Sequence, residues 1–95
     1  MKLHITRAAR TDLRGLFLYI ADDRPKAAQA VVDRILKAVE QLPERPMLGH
    51  TGRDPTTREL VVRQTAHIAV YRIDRDKIAV LRVLHGAQRR EPGDH

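Results

Sequence analysis

The sequence predicts an α+β fold in the order β-α-α-β-β-β, a helical hairpin packed on one face of a mostly antiparallel sheet. Three observations lead there. From Arg58 to Ala87 the chain is rich in Val61, Ile68, Val70, Tyr71, Ile73, Ile78, Val80 and Val83, types that suit a pleated surface. Upstream, two stretches repeat apolar residues every three or four positions, the mark of helices with one apolar face. Between helices and sheet lies a Pro- and Gly-containing segment with no period at all.

Taken in order, Lys2–Ile5 (KLHI) reads as a short strand and Thr6 as a helix N-cap. From Arg7 to about Ala21, the residues Ala9, Leu13, Leu16, Phe17 and Ile20 fall on one helical stripe, with Arg10, Asp12 and Arg14 expected to point away. Gly15 costs about 1 kcal/mol relative to alanine, which suggests close packing against a neighbour. Asp22 and Asp23 stop the pattern, and Pro25 suits the first turn of a second helix. That helix runs to about Leu42 on a stripe of Ala28, Val32, Ile35, Val39 and Leu42, widened by Val31, Leu36 and Ala38; Pro43 ends it. The short link makes a helical hairpin over residues 7–42, and both helices need the sheet to hold in water.

Residues 43–57 (PERPMLGHTGRDPTT) contain three prolines and two glycines and read as a long loop, a class often functional or mobile. Arg58 and Glu59 beside it are candidates to position it by an ion pair, and exposed pairs contribute little stability. Sheet strands follow over 58–85. The polar turn Asp74–Asp76 joins the last two as a hairpin. The last, Ile78–Leu84, is interrupted only by Arg82, so it is expected to be an inner strand with Ile68–Ile73 on one side and Lys2–Ile5 on the other. Glu59–Val62 has one obvious partner and reads as an edge. Gly86 reads as a positive-φ residue and residues 88–95 as a fraying tail. There is no internal repeat, and 95 residues are expected to form one domain.

Composition narrows the chemistry. The chain has no cysteine and no serine, which removes disulfides, thiolate metal sites and Ser- or Cys-nucleophile arrangements. His4, His50, His67, His85 and His95 lack ligand spacing, so neither a metal nor another cofactor is expected. No apolar run approaches the roughly 20 residues that span a bilayer, and no signal peptide opens the sequence. A soluble, cytoplasmic protein with no membrane partner is expected. Net charge is +6, which favours a polyanion or an acidic protein, although arginines dispersed along a solvated surface account for it equally well. Aromatics are only 3 %, too few for a platform that stacks single-stranded bases.

The segments GRDPTTREL (Gly52–Leu60), VYRID (Val70–Asp74) and VLRVLHGAQRR (Val80–Arg90), set in this element order, resemble the RelE/ParE superfamily of bacterial type II toxins. The likeness covers nearly the whole chain and is strongest to the ParE branch. It implies a small basic toxin held inactive by a cognate acidic antitoxin. ParE-like members imply a poison of DNA gyrase that acts by binding, with nucleic acid engaged only indirectly. RelE-like members imply cleavage of mRNA on the ribosome, and the shared fold does not choose between them.

Residues bear on that choice. RelE-like nucleases often carry Arg-Leu-Val-Tyr in the middle strand, and here the matching segment is Ile68-Ala69-Val70-Tyr71, with Ile68 in the arginine's place. Under the nuclease alternative, Arg63, Arg82 and His85 are the candidate catalytic residues, brought together if Ile73 opposes Lys77 and Arg82 shares a surface with Ile68. The competing account makes Arg63 and Arg82 solvent-reaching strand residues and His85 a turn residue. For gyrase binding the candidates are Arg10, Arg14, Arg24, Lys26, Arg89 and Arg90. For the antitoxin they are the edge Glu59, Leu60, Val61 and Val62, with Leu13 and Phe17 on the helical hairpin. A third possibility is a partner-binding module without toxic activity. Tyr71 reads as core packing rather than a catalyst.

Overall fold

The computed structural model describes residues 1–89. Its elements are β1 (Lys2–Ile5), α1 (Arg7–Ala21), α2 (Pro25–Glu40), β2 (His50–Thr51), β3 (Arg58–Val61), β4 (His67–Asp74) and β5 (Lys77–His85), closed by a 3-10 turn at Gly86–Arg89. The strands form one sheet in the order β1-β5-β4-β3-β2. β1 lies parallel to β5, and every other pair is antiparallel. β5 is thus an inner strand with β1 and β4 as its neighbours, as its apolar run implies.

Both helices turn their stripes to the sheet. Thr6 caps α1 by accepting the Ala9 N–H at 3.2 Å, and Pro25 occupies the first turn of α2, where no N–H is needed. The core joins Ala9, Ile35, Val39 and Leu42 from the helical side to Leu60, Ala69, Tyr71, Ile78, Val80 and Val83 from the sheet. α2 ends at Glu40, and Leu42, fully buried, packs from the turn that follows. Two expectations for α1 need correcting. A Cβ on Gly15 meets nothing within 4 Å, so that glycine serves no close approach. Asp12 does not point away: it lies three residues after Ala9 and four before Leu16, on the flank of the stripe, and it bonds to β5.

The long loop holds a strand that the sequence hides. His50 opposes Glu59 and Thr51 opposes Arg58, so β2 rather than β3 forms the sheet edge. The edge expectation for Glu59–Val62 is therefore corrected in part, because β2 covers Arg58 and Glu59 and stops before Leu60. The loop is anchored from beneath. The Tyr71 hydroxyl donates to the Pro46 carbonyl at 2.7 Å and accepts the Gly49 N–H at 2.9 Å. Arg58 Nη2 donates to the carbonyls of Gly49 and Met47.

The hairpin register also differs from expectation. Ile73 opposes Ile78, and Lys77 pairs with Asp74. Farther along, Tyr71 opposes Val80 while Val70 opposes Arg82, which leaves Leu81 as an extra residue in a bulge. Beyond the bulge Val83 faces the core and Arg82 the opposite side, so the strand buries Ile78, Val80 and Val83 without strict alternation. Left-handed backbone occurs at Gln64 (φ 63°) and Arg75 (φ 57°), not at Gly86.

Candidate functional site

The chemistry-bearing side chains of the sheet sit where its strands end at different lengths. β1 has four residues and β5 nine, so the outer edge of β5 runs past its partner. The start of α1 closes that gap. Thr6 Oγ1 donates to the Leu81 carbonyl at 3.1 Å, and Asp12 Oδ2 accepts the Val83 N–H at 2.9 Å. Asp12 also takes Arg82 through both oxygens, at 2.7 and 3.0 Å. Partial burial raises the Asp12 pKa, but the Arg82 hydrogen bond, the Val83 N–H and the guanidinium charge together hold it below 3.8. The same hydrogen bond and charge raise the Arg82 pKa. Arg82 is thus the outer half of a bidentate clamp on α1.

His85 stands at the far end of β5 directly opposite His67, with ring centroids 5.5 Å apart at 80°. Its Nδ1 accepts the Ala87 N–H at 3.0 Å, so in the neutral ring the proton sits on Nε2. Burial first, then the charge of His85, lowers the His67 pKa, and His67 Nδ1 is buried with no hydrogen-bond partner. Next to this pair, Ile68 opposes both Leu84 and Val61 and makes an apolar row across the sheet. Arg82 opposes Val70 and not Ile68, which corrects the register on which a shared Arg82–Ile68 surface rested. Arg63 follows β3 and lines a groove beside Arg34 and Lys37 of α2. The three nuclease candidates therefore have different neighbours: Arg63 has α2, Arg82 has Asp12, and His85 has His67.

Of the hairpin cations, Arg10, Arg14, Arg24 and Lys26 are exposed; Arg24 precedes the first residue of α2, with Nε 3.9 Å from the Asp23 carboxylate. Arg89 ends the 3-10 turn, and Arg90 lies outside the described residues. Among the proposed antitoxin contacts Glu59, Leu60 and Val62 are buried, and Val61 is 57 % exposed. Leu13 and Phe17 are half-buried, and Leu13 packs against the core.

Sequence reasoning missed two surface features. Leu18 and Tyr19 are exposed at the end of α1, Tyr19 to 84 %. The cue was present, since neither belongs to the inward stripe. The other is the groove between α2 and β3, about 600 Å³ in volume, with Leu48, Leu60, Val61 and Val62 among its lining residues. Among the described residues no group of three or more His, Cys, Asp or Glu is placed to hold a metal ion, and no helix is long and apolar enough to cross a membrane.

Comparison with known proteins fits this arrangement. Residues 3–90 match the family model of the ParE toxin of type II toxin–antitoxin systems, parDE. The candidate toxin Y4kP of Sinorhizobium fredii is 46 % identical over 87 residues, covering 92 % of this chain and 90 % of its own. Toxin RelE3 of Caulobacter vibrioides is 34 % identical over 84 residues, covering 86 % and 90 %. Among solved structures, the chromosomal ParDE system of P. aeruginosa superposes with a TM-score of 0.82 at 25 % identity, over 90 % of this chain and 95 % of that one. The RelBE2 toxin–antitoxin complex of Mycobacterium tuberculosis gives 0.59 at 27 % identity, over 88 % of each chain. With a family model spanning all but a few residues and relatives above 30 % identity over most of its length, this chain belongs to the ParE toxin family of the RelE/ParE superfamily, the toxin side of type II toxin–antitoxin systems.

Proposed function

We propose that the protein arrests bacterial growth by binding DNA gyrase and trapping it on cleaved DNA, and that a cognate acidic antitoxin neutralises it in the cytoplasm. The observation that carries the gyrase reading is the Asp12–Arg82 clamp. Phosphoryl chemistry on RNA needs a cation directed at the phosphate. Arg82 is instead committed to a carboxylate, and Ile68 occupies the position where nuclease relatives carry arginine. A binding mechanism needs only a rigid cationic face, which Arg10, Arg14, Arg24 and Lys26 supply, with Arg89 and Arg90 beyond the sheet. A ParDE complex among the structural neighbours supports an antitoxin partner. The test is a supercoiling assay with purified gyrase. Inhibition with accumulation of linear DNA is expected, whereas full activity in excess toxin sinks the proposal.

One observation favours ribosome-dependent mRNA cleavage as a second reading. The Ala87 N–H fixes His85 with its proton on Nε2, the form of a general acid. Cleavage of ribosome-bound mRNA that disappears in His85→Ala would establish it. Growth that continues on expression would leave the third reading, a partner-binding domain without toxicity.

A further inference from the structure

We propose that the groove between α2 and the outer side of β3 is the seat of an acidic, extended peptide segment of the antitoxin, which joins the sheet as an added strand. The proposal rests on the toxin–antitoxin reading above and specifies where and by what chemistry the partner is held.

The sheet supplies the first argument. Val62 donates its N–H to the His67 carbonyl at 3.0 Å, toward β4. Strand alternation then turns the N–H and C=O of Val61 away from β4, to the outer side. β2 faces only Arg58 and Glu59, so among the described residues no strand meets Val61 there. The Val61 side chain is 57 % exposed as well. An incomplete edge carrying an exposed β-branched residue is a template for one more strand.

Charge supplies the second. Arg34, Lys37, Arg45 and Arg63 rim the groove, and no carboxylate lines it. Among the described residues none of these four cations is ion-paired, in contrast to Arg82 and Arg24. Four like charges around an apolar floor select an occupant that alternates acidic and apolar residues: alternate side chains of a strand would meet the floor and the rim. The same cations would attract a nucleic acid. No aromatic side chain lines the groove to stack a base, however, and its floor is an open strand edge that peptide amides complement.

The test uses the full chain and a blocked twelve-residue peptide of alternating Val and Glu, with Val-Lys and oligonucleotide controls. Binding is followed by titration calorimetry and by amide NMR shifts. The expected result is binding of the Val-Glu peptide with shifts centred on residues 60–64, weakened by added salt. Arg34→Glu with Lys37→Glu, both on the exposed face of α2, should weaken it about tenfold or more with unchanged circular dichroism. Binding unaffected by the double reversal, shifts confined to another surface, tighter binding of the oligonucleotide, or groove shifts that track self-association each overturn the proposal. Growth arrest on expression is scored separately. If the chain arrests growth and the groove stays empty, only this proposal falls; if growth continues, the toxin reading fails instead.

Discussion

Two buried hydrogen-bond centres account for how single residues set the surfaces. Tyr71 is fully buried, yet its hydroxyl holds two backbone groups of the long loop. Tyr71→Phe keeps the ring and orphans the Gly49 N–H and the Pro46 carbonyl, so a loss of about 1–3 kcal/mol is expected in urea unfolding. Faster amide exchange at residues 46–50 should accompany it; an unchanged midpoint would show that the loop is held by other contacts. Asp12 is the second centre. Its folded-state pKa lies below 3.8, so the stabilisation it provides is complete above that value and is lost as the pH falls through the folded pKa. His67, lowered by burial and by His85, acts at higher pH: the folded state resists its protonation, so stability declines as the pH drops below 6.5. Unfolding measured from pH 8 to pH 3 should show both declines, with Asp12→Asn removing the lower one and His67→Gln the upper. Tyr71 was legible in the sequence as core, because so few aromatics exist to fill it. Its polar role was not, because the residues it bonds are 22 and 25 positions away. Asp12 was misplaced because a flank residue of an amphipathic stripe has no sign of its own; what gives it a direction is a bare stretch of β5.

Elements follow their local chemistry where periodicity is strong. β1, α1 and the start of α2 lie where Thr6, Pro25 and the apolar spacing put them, since each is specified within a few residues. β2 is the opposite case. His50–Thr51 has no alternation and no apolar residue, and it is a strand only because Glu59 and Arg58 lie opposite. The bulge at Leu81 was equally hidden, as it depends on two strands rather than one. The glycines make this contrast measurable. A Cβ on Gly49 would lie 2.6 Å from the Glu59 carbonyl oxygen and 2.8 Å from the Tyr71 ring, and the backbone oxygen has little freedom to withdraw. Gly49→Ala should therefore destabilise the protein and loosen β2. Gly15→Ala enters open space within a helix and should stabilise by about 1 kcal/mol. Paired thermal melts that move in opposite directions are the expected result, and a drop for Gly15→Ala would mean that α1 tolerates less than its surroundings indicate.

For the whole molecule, architecture and activity part company. The α+β arrangement is dictated by two amphipathic helices and a β-branched sheet, and ParE- and RelE-named relatives share it. What separates the two activities is the disposition of a few cations, and here the structure divides them into distinct sets. Arg82 is clamped to Asp12, Arg63 lines the α2–β3 groove, and Arg10, Arg14, Arg24 and Lys26 surround the helical hairpin. Sequence alone could name these residues but not sort them, because the sorting depends on the bulge, on the length of β1 and on the end of β2. A growth experiment exploits the division. Reversal of Arg10 and Arg14 to glutamate touches neither the Asp12 clamp nor the groove, so the fold and antitoxin capture should survive. If the hairpin face grips gyrase, that variant should lose growth arrest and lose supercoiling inhibition by about tenfold or more, in line with the removal of steering charges from a docking face. His85→Ala should remain as toxic as the parent. The reverse pattern, toxicity lost with His85 and kept without the hairpin arginines, would move the active surface to the His67–His85 end of the sheet and make RNA the target.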